Sequence, residues 1–245
     1  MNLSVPSDEA DSNDYHINTT SAGKAPMQPL SWYLMLAIYT SEGLIQLGGN
    51  LVILLVIGRT KKLHVKEYVL PAGLAVGDAT LGLGQLSAAG YRLWVVFQGR
   101  QLQQLSALNC LLKVHNICFI LGAYISPLIL TFISIDRFLA CWNIRVYSKL
   151  TKLATSIAVL IALSFGVLNV LIDAILSIGI EQPAAMMCFT AAALEPWRDE
   201  VYWWFQVIFS YLSVVIYIGA MVVLRQQDET KLESVMRANL TRQAK

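Results

Sequence analysis

Residues 117–135 read ICFILGAYISPLILTFISI, and the chain continues with Asp136, Arg137 and Phe138. The stretch contains no charged side chain. A helix needs about 20 mostly apolar residues to cross the roughly 30 Å hydrocarbon core of a bilayer. The sequence therefore predicts a membrane-spanning helix here, which we place at about residues 112–137.

Four further segments are as apolar as this one, at about residues 33–57, 68–89, 153–178 and 202–224. None shows the alternation of a barrel strand, so each is predicted to be a helix. The composition agrees, because 56% of the chain is hydrophobic and 14% is charged, against about 25% charged residues in soluble domains. We predict an all-α, polytopic transmembrane helix bundle over residues 33–225, with five spans.

Basic residues set the predicted orientation. The loops after the first and third spans and the tail after the fifth each carry four or five Lys and Arg residues, and Lys and Arg collect on the cytoplasmic side. Residues 1–32 are then an extracellular tail without a cleavable signal peptide, and residues 226–245 a disordered cytoplasmic tail. Asn2 and Asn18 begin glycosylation sequons outside the plasma membrane.

Asp78 lies about ten residues into the second span, near the middle of the membrane. Asn50 and Ser126 lie at a matching depth in the first and third spans, and the three could bind a hard cation. The alternative is that Asp78 is a hydrogen-bonded acid that joins helices. Glu42 and Asp173 lie nearer the ends of their spans, so we expect them to face water or a neighbouring helix.

Cys110 and Cys188 fall on the predicted extracellular side, which is oxidising. As a continuous helix, the segment from Cys110 to Arg137 would be about 40 Å long. The two residues are therefore predicted at opposite ends of one long helix. The pair Asp136-Arg137 closes that helix. Either this charged pair acts as a latch between neighbouring helices, or Arg137 extends to the membrane–water interface with Asp136 beside it.

Taken together, these residues resemble the rhodopsin-like (class A) G-protein-coupled receptors. The motifs are Gly49-Asn50 in the first span, Leu74 to Asp78 in the second, and Ile135 to Ala140, similar to the family's D-R-Y signature with Phe138 in place of Tyr. Within that family, the sequence is similar in general character to the divergent nematode serpentine chemoreceptors. The resemblance covers about residues 49–224.

The resemblance implies roles for individual residues. Asp78, Asn50 and Ser126 would form a sodium pocket, so a structural Na⁺ is the one cofactor expected. Asp136, Arg137, Phe138 and Tyr217 would form the signalling switch. Cys110 and Cys188 would form the extracellular disulfide.

The chain also departs from the family pattern. The fifth span lacks the family's usual Pro, while Pro127 in the third span is unusual and is expected to kink it. No sixth or seventh span follows the fifth. We therefore expect a receptor truncated after its fifth span, or a fragment of one, and no agonist response from these 245 residues alone.

The resemblance also suggests a ligand pocket. Amine receptors carry an Asp where this chain has Phe119, so biogenic amines are not expected as ligands. Such a pocket suits a neutral or weakly polar molecule. Its expected walls are Phe119, Gly122, Ala123, Trp203, Trp204 and Gln206.

The leading function is thus a receptor that senses an extracellular small molecule or peptide and signals to a heterotrimeric G protein. The alternatives are a non-signalling membrane scaffold or partner, or a transporter that uses Asp78. An enzyme is not expected, because no catalytic or metal constellation appears and His115, the one His in a span, is expected to be solvated. The formal net charge of +2 argues against nucleic-acid binding. Membrane lipid is the remaining partner.

Overall fold

The computed structural model describes residues 29–100, 103–178 and 183–243, with side chains from 32 to 227 apart from residue 144. The predicted all-α membrane bundle is confirmed, since five helices are long and apolar enough to span a bilayer. The helices are α1 Pro29–Arg59, α2 Val69–Phe97, α3 Ala107–Leu111, α4 Val114–Trp142, α5 Ile144–Lys149, α6 Lys152–Ile178, α7 Thr190–Ala193 and α8 Pro196–Gln243. The predicted glycosylation sites Asn2 and Asn18 lie outside the described residues.

Helix α4 is the centre of the bundle. In its most apolar stretch 56% of the residues are buried inside the protein, against 6% for α1 and 11% for α8. It packs against α2, α6 and α8, while α1 packs on α2. Pro127 does not interrupt α4. One turn later the Thr131 hydroxyl lies 2.9 Å from the Pro127 carbonyl and 3.1 Å from the Phe209 carbonyl of α8, so its one hydrogen can be shared between these two acceptors.

Glycines allow the close contacts of α2. A Cβ on Gly77 would lie 2.7 Å from Ser126 Oγ of α4, and one on Gly82 would lie 2.7 Å from the Leu47 nitrogen of α1. Small residues are the usual means by which membrane helices approach this closely, because lipid provides little hydrophobic drive for association.

The two ends of the bundle differ. The cysteine end, which holds Cys110 and Cys188, is covered by an antiparallel pair of short strands, β1 Gln104–Leu105 and β2 Ala184–Ala185. The arginine end, which holds Arg137, carries 3₁₀ turns at Lys61–Leu63 and Lys66–Tyr68, together with α5. Lys66 joins these parts, because its ammonium donates to the carbonyls of Tyr147 and Leu150 at 3.1 Å each.

The prediction that Cys110 and Arg137 lie on one helix is wrong. The chain turns at Leu112 and Lys113, and Lys113 has extended backbone angles as the N-cap of α4. Cys110 therefore belongs to the separate helix α3. The Ser106 hydroxyl caps the first turn of this helix by accepting a hydrogen bond from the backbone N–H of Asn109.

Two other sequence expectations need correction. The tail 226–245 was expected to be disordered, yet α8 continues to Gln243. This part of the chain is rich in Gln, Glu, Lys, Arg, Leu and Ala, which have high helix propensity. The second span was predicted to end at about residue 89, which would leave Arg92 in the loop beyond it, but α2 runs to Phe97 and Arg92 is buried in it.

Candidate functional site

Asp78 and Ser126 meet between α2 and α4. The Ser126 hydroxyl donates to Asp78 Oδ1 at 2.7 Å, and both residues are partly buried. Gly77 makes this contact possible, as its missing side chain leaves the space that Ser126 occupies. Asn50, the third residue of the expected sodium pocket, instead donates from its amide to the Gln46 carbonyl of its own helix at 2.7 Å. An acid and a hydroxyl are thus paired at mid-membrane depth, with an amide on the adjacent helix.

Arg137 is exposed at the arginine end. No ion pair joins it to Asp136 in the described part of the chain, where the one salt bridge within 4.0 Å is found elsewhere. Its side chain lines an open groove of about 630 Å³ between α1, α2 and α4. Most of the other residues that line the groove are apolar. The full set is Val52, Ile53, Val56, Ile57, Leu63, Glu67, Tyr68 and Pro71.

The other two switch residues lie on the side of α8. The ring of Phe138 is next to Gly219 of α8, at 3.5 Å from the position of an added Cβ, and 5.8 Å from the Trp142 ring. Tyr217 is 52% exposed and has no hydrogen bond to Arg137 among the described residues. Tyr217 and Arg137 are therefore not hydrogen-bonded to each other in this structure.

The residues of the expected ligand pocket lie on α4 and α8 and have different surroundings. Phe119 lies edge-on to Tyr39 of α1, with ring centroids 6.3 Å apart. Gly122 is packed against α2, and an added Cβ would lie 2.9 Å from the Leu81 Cβ, so the space beside it is filled. Ala123 is buried.

The α8 residues of the expected pocket differ in exposure. Trp203 is 59% exposed and Trp204 is 64% exposed, whereas Gln206 is half-buried. Trp204 borders an outward-facing groove on α8 together with Trp197 and Phe205. The pocket as a whole stays a prediction.

Cys110 and Cys188 lie against each other in the interior of the cysteine end. Both are buried free thiols in one hydrophobic cluster. Hydrogen bonding with Cys188, followed by burial, raises the pKa of Cys110, while hydrogen bonding from the Cys110 thiol lowers the pKa of Cys188.

The backbone at both cysteines is held in place by α4. His115 Nε2 lies 3.1 Å from the Cys188 carbonyl, and the Asn116 amide donates to the Cys110 carbonyl at 2.8 Å. The expectation that His115 is solvated is therefore wrong, since only 2% of it is exposed. The loop that carries Cys188 covers it.

Sequence reasoning missed two buried arginines at this end. Arg92 donates from Nε to the Met187 carbonyl at 3.3 Å, and its guanidinium lies 4.2 Å from the Phe189 ring centroid. Arg198 donates to Asp173 Oδ1 at 2.6 Å and to Asn169 Oδ1 at 3.1 Å. The sequence does carry a signal for the second site, because Asn169, Asp173 and Ser177 recur every four residues on one face of α6.

Comparison with known proteins agrees with this architecture. The family described as "7 transmembrane receptor (rhodopsin family)" matches residues 49–241. Among curated proteins, Trace amine-associated receptor 6 of Mus musculus is 29% identical over 148 residues, which is 59% of this chain and 39% of the mouse protein. The chain thus spans about two fifths of the length of that relative.

The matched family region includes Asn50, the Asp78–Ser126 contact, both cysteines and Arg137 at the end of α4. The expectations of a polytopic membrane helix bundle and of this family are therefore confirmed. The chain belongs to the rhodopsin family of seven-transmembrane receptors.

Proposed function

We propose that the chain acts at the plasma membrane as a receptor, or as part of one, that couples an extracellular ligand to a heterotrimeric G protein. The cysteine end would face outside and the arginine end the cytoplasm, as the distribution of Lys and Arg indicates. The observation that carries the proposal is the position of Arg137, which is exposed, without an ion pair in the described part of the chain, and open to the groove beside α2.

Such a receptor works by population shift. A ligand that binds one arrangement of the helices more tightly than another favours that arrangement. We assign Asp136, Arg137, Phe138 and Tyr217 to the switch at the arginine end. Because Tyr217, which is 52% exposed, does not hydrogen-bond to Arg137, this arrangement corresponds to a state in which the switch is not engaged.

Coupling through Arg137 can be tested without a known ligand. Purified Gαs, Gαi and Gαq heterotrimers are added to membranes that contain the full chain, and GTPγS binding is measured. We expect a basal, agonist-independent rate of nucleotide exchange above that of mock membranes for at least one heterotrimer, and a return to background in Arg137→Ala. Arg59→Ala is the control, because Arg59 is also exposed and basic but lies at the end of α1. Exchange at the wild-type rate in Arg137→Ala would contradict the role of Arg137.

We also propose that Asp78, Ser126 and Asn50 hold a sodium ion. The Asp78–Ser126 contact supports this site, and Asn50 would have to release the Gln46 carbonyl to contribute its own oxygen. At a sodium concentration ten times the dissociation constant, binding stabilises the chain by about 1.4 kcal/mol.

The sodium prediction is tested by melting curves in sodium and in N-methylglucamine at one ionic strength. We expect wild type to melt at a higher temperature in sodium, and Asp78→Asn to melt at the same temperature in both. Asp199→Asn is the control, since Asp199 lies in the first turn of α8 at the cysteine end. A sodium shift of wild-type size in Asp78→Asn would favour a purely structural role for this acid.

The ligand is a small molecule or peptide under this proposal. The name of the mouse relative concerns trace amines, whereas Phe119 stands where amine receptors have an acid. Because the matched part is 39% of that relative, its ligand class is transferred here only as a hypothesis.

A second candidate is a membrane partner of a complete receptor. The exposed apolar faces of α1 and α8 favour it, because 6% and 11% of their central stretches are buried within the chain. Co-purification of the tagged chain with a co-expressed receptor, in the absence of nucleotide exchange by the chain alone, would support this candidate over the first.

A further inference from the structure

Two loops at the arginine end are fastened to each other by lysine side chains. One loop joins α1 to α2, and the other joins α4 to α6 and contains α5. The Lys66 ammonium of the first loop donates to the Tyr147 and Leu150 carbonyls of the second and lies 4.0 Å from the centre of the Tyr147 ring. In return, the Lys152 ammonium at the start of α6 donates to the His64 carbonyl at 3.1 Å. These two braces fix the position of the loops relative to each other.

The other Lys and Arg residues of these loops are all exposed and form what we call the basic patch. It consists of Lys61 and Lys62 from the 3₁₀ turn after α1 and of Arg145 and Lys149 from α5. The first two precede His64 by two or three residues, and Lys149 directly precedes Leu150, so both pairs lie beside the braces. Arg145 and Lys149 are four residues apart and therefore share one face of α5.

No acid forms an ion pair with the basic patch among the residues whose side chains are described. The one salt bridge found there joins Arg198 to Asp173 at the cysteine end. The acids described at the arginine end are Glu67 and Asp136, and both are half-buried. Four exposed positive charges thus lie close together without compensation, and their mutual repulsion favours the binding of an anion between them.

Exposed apolar side chains place the basic patch at the level of the lipid headgroups. Trp142, at the end of α4, is 64% exposed, and Val146, between the two basic residues of α5, is 48% exposed. Tyr68 is exposed at the start of α2. Trp and Tyr collect at the boundary between membrane and water, where lipid phosphates are also found. The anion that the patch meets there is therefore a lipid headgroup.

We propose that the basic patch binds a phosphoinositide, a membrane lipid whose inositol ring carries several phosphates. Lys61 and Lys62 hold phosphate from one side, and Arg145 and Lys149 hold it from the other, through charge-assisted hydrogen bonds. The acyl chains lie in the membrane beside Trp142. Because the braces keep the loops together, one headgroup contacts both. This inference goes beyond the proposed receptor function, since it adds a lipid site at the arginine end.

A general preference for negative lipids explains the arrangement less well. Basic loops orient membrane spans whatever their position relative to each other, so orientation alone requires neither brace. A lipid with a single net charge, such as phosphatidylserine, engages one loop at a time. A phosphoinositide carries enough negative charge to engage both loops at once, and basic pockets between helices on the cytoplasmic side are typical sites for such headgroups.

The test measures binding to the full chain in neutral detergent micelles by calorimetry. The probes are dioctanoyl phosphatidylinositol bisphosphate, dioctanoyl phosphatidylserine and free inositol trisphosphate. We expect the phosphoinositide to bind at least about tenfold more tightly than phosphatidylserine, because it engages both loops. It should also bind at least about tenfold more tightly than the free headgroup, because its chains bury apolar surface.

Variants of each loop test the named residues. Lys61→Gln/Lys62→Gln and Arg145→Gln/Lys149→Gln should each weaken phosphoinositide binding about thirtyfold, since each cation near the headgroups contributes roughly fivefold. Lys61→Arg/Lys62→Arg keeps the charge and should bind as wild type does.

The matched control removes two charges from another part of the same end. Arg237→Gln/Arg242→Gln changes the last turns of α8, where Arg237 lies thirteen residues, or about 20 Å of helix, beyond Leu224. This variant should bind the phosphoinositide as wild type does.

Several outcomes would overturn the proposal. Equal affinity for phosphatidylserine, or an equal loss in the α8 control, would show that overall charge attracts the lipid without a defined site. Equal affinity for free inositol trisphosphate would assign the patch to a soluble phosphate. If one loop variant fails to fold by size-exclusion chromatography, the other loop variant and the comparison of lipids decide. Binding in micelles requires neither an agonist nor a G protein, so a failure here is distinct from a failure of coupling.

Discussion

Replacing Asp173 with Asn should be among the most damaging single changes in the chain. Asp173 and Arg198 form a buried salt bridge of 2.6 Å, with side chains 2% and 9% exposed. Removing the carboxylate leaves the guanidinium buried without a countercharge, which typically costs about 3–5 kcal/mol. The bridge joins α6 to the start of α8, so we expect these two helices to separate at the cysteine end.

The measurement is the free energy of unfolding in detergent, together with the amount of folded protein. Asp173→Asn and Arg198→Gln should each lose about 3–5 kcal/mol. The double variant Asp173→Leu/Arg198→Leu should lose much less than the sum of the single changes, because no charge is then left unpaired. Glu200→Gln, an exposed acid two residues from Arg198, should stay within about 0.5 kcal/mol of wild type. Losses that simply add in the double variant would show that the two side chains act independently.

The fold was predictable because hydropathy reports directly on the environment of a membrane helix. Each of the five predicted spans lies almost entirely within one of α1, α2, α4, α6 and α8, since a helix is the structure that satisfies its own backbone in lipid. The helix ends were less predictable. Polar residues such as Arg92 in α2 and Gln226 in α8 belong to helices that continue beyond the predicted apolar run.

The depth of a residue in the membrane could also be predicted from the sequence. The direction in which its side chain points could be predicted only in part. Asp78 and Ser126 were expected at one level and are hydrogen-bonded in the structure. Asn50 was expected at the same level, but it bonds to its own helix. Counting residues gives height along a helix, whereas the rotamer and the nearest acceptor decide which partner is used.

Loop geometry was beyond sequence reasoning. The distribution of apolar residues along the chain does not predict the turn at Leu112–Lys113, which separates Cys110 from α4. Burial of Arg92 depends on Met187 and Phe189, almost a hundred residues further along the chain. Such long-range contacts appear when the loop folds back over the cysteine end, and local patterns do not encode them.

We further expect that Cys110 and Cys188 form a disulfide when the chain passes through an oxidising compartment. The two thiols lie in one buried cluster, and hydrogen bonds from Asn116 and His115 hold the Cys110 and Cys188 carbonyls in place. The lowered pKa of Cys188 favours its thiolate, which is the form that attacks in thiol–disulfide exchange. The bridge would close a loop of roughly 80 residues and contribute about 4 kcal/mol.

Peptide mapping without reduction should identify the Cys110–Cys188 linkage in protein from the cell surface, and unfolding measurements should show its contribution. Cys110→Ser, Cys188→Ser and the double variant should each lose about 4 kcal/mol, because one bridge is absent in all three. Reducing agent should destabilise wild type to the same degree and leave the variants unchanged. Cys141→Ser is the control, since Cys141 lies at the arginine end of α4. If both thiols react with maleimide in folded surface protein, or if the losses of the single variants add in the double variant, the cysteines stabilise this end by packing, without a covalent bond.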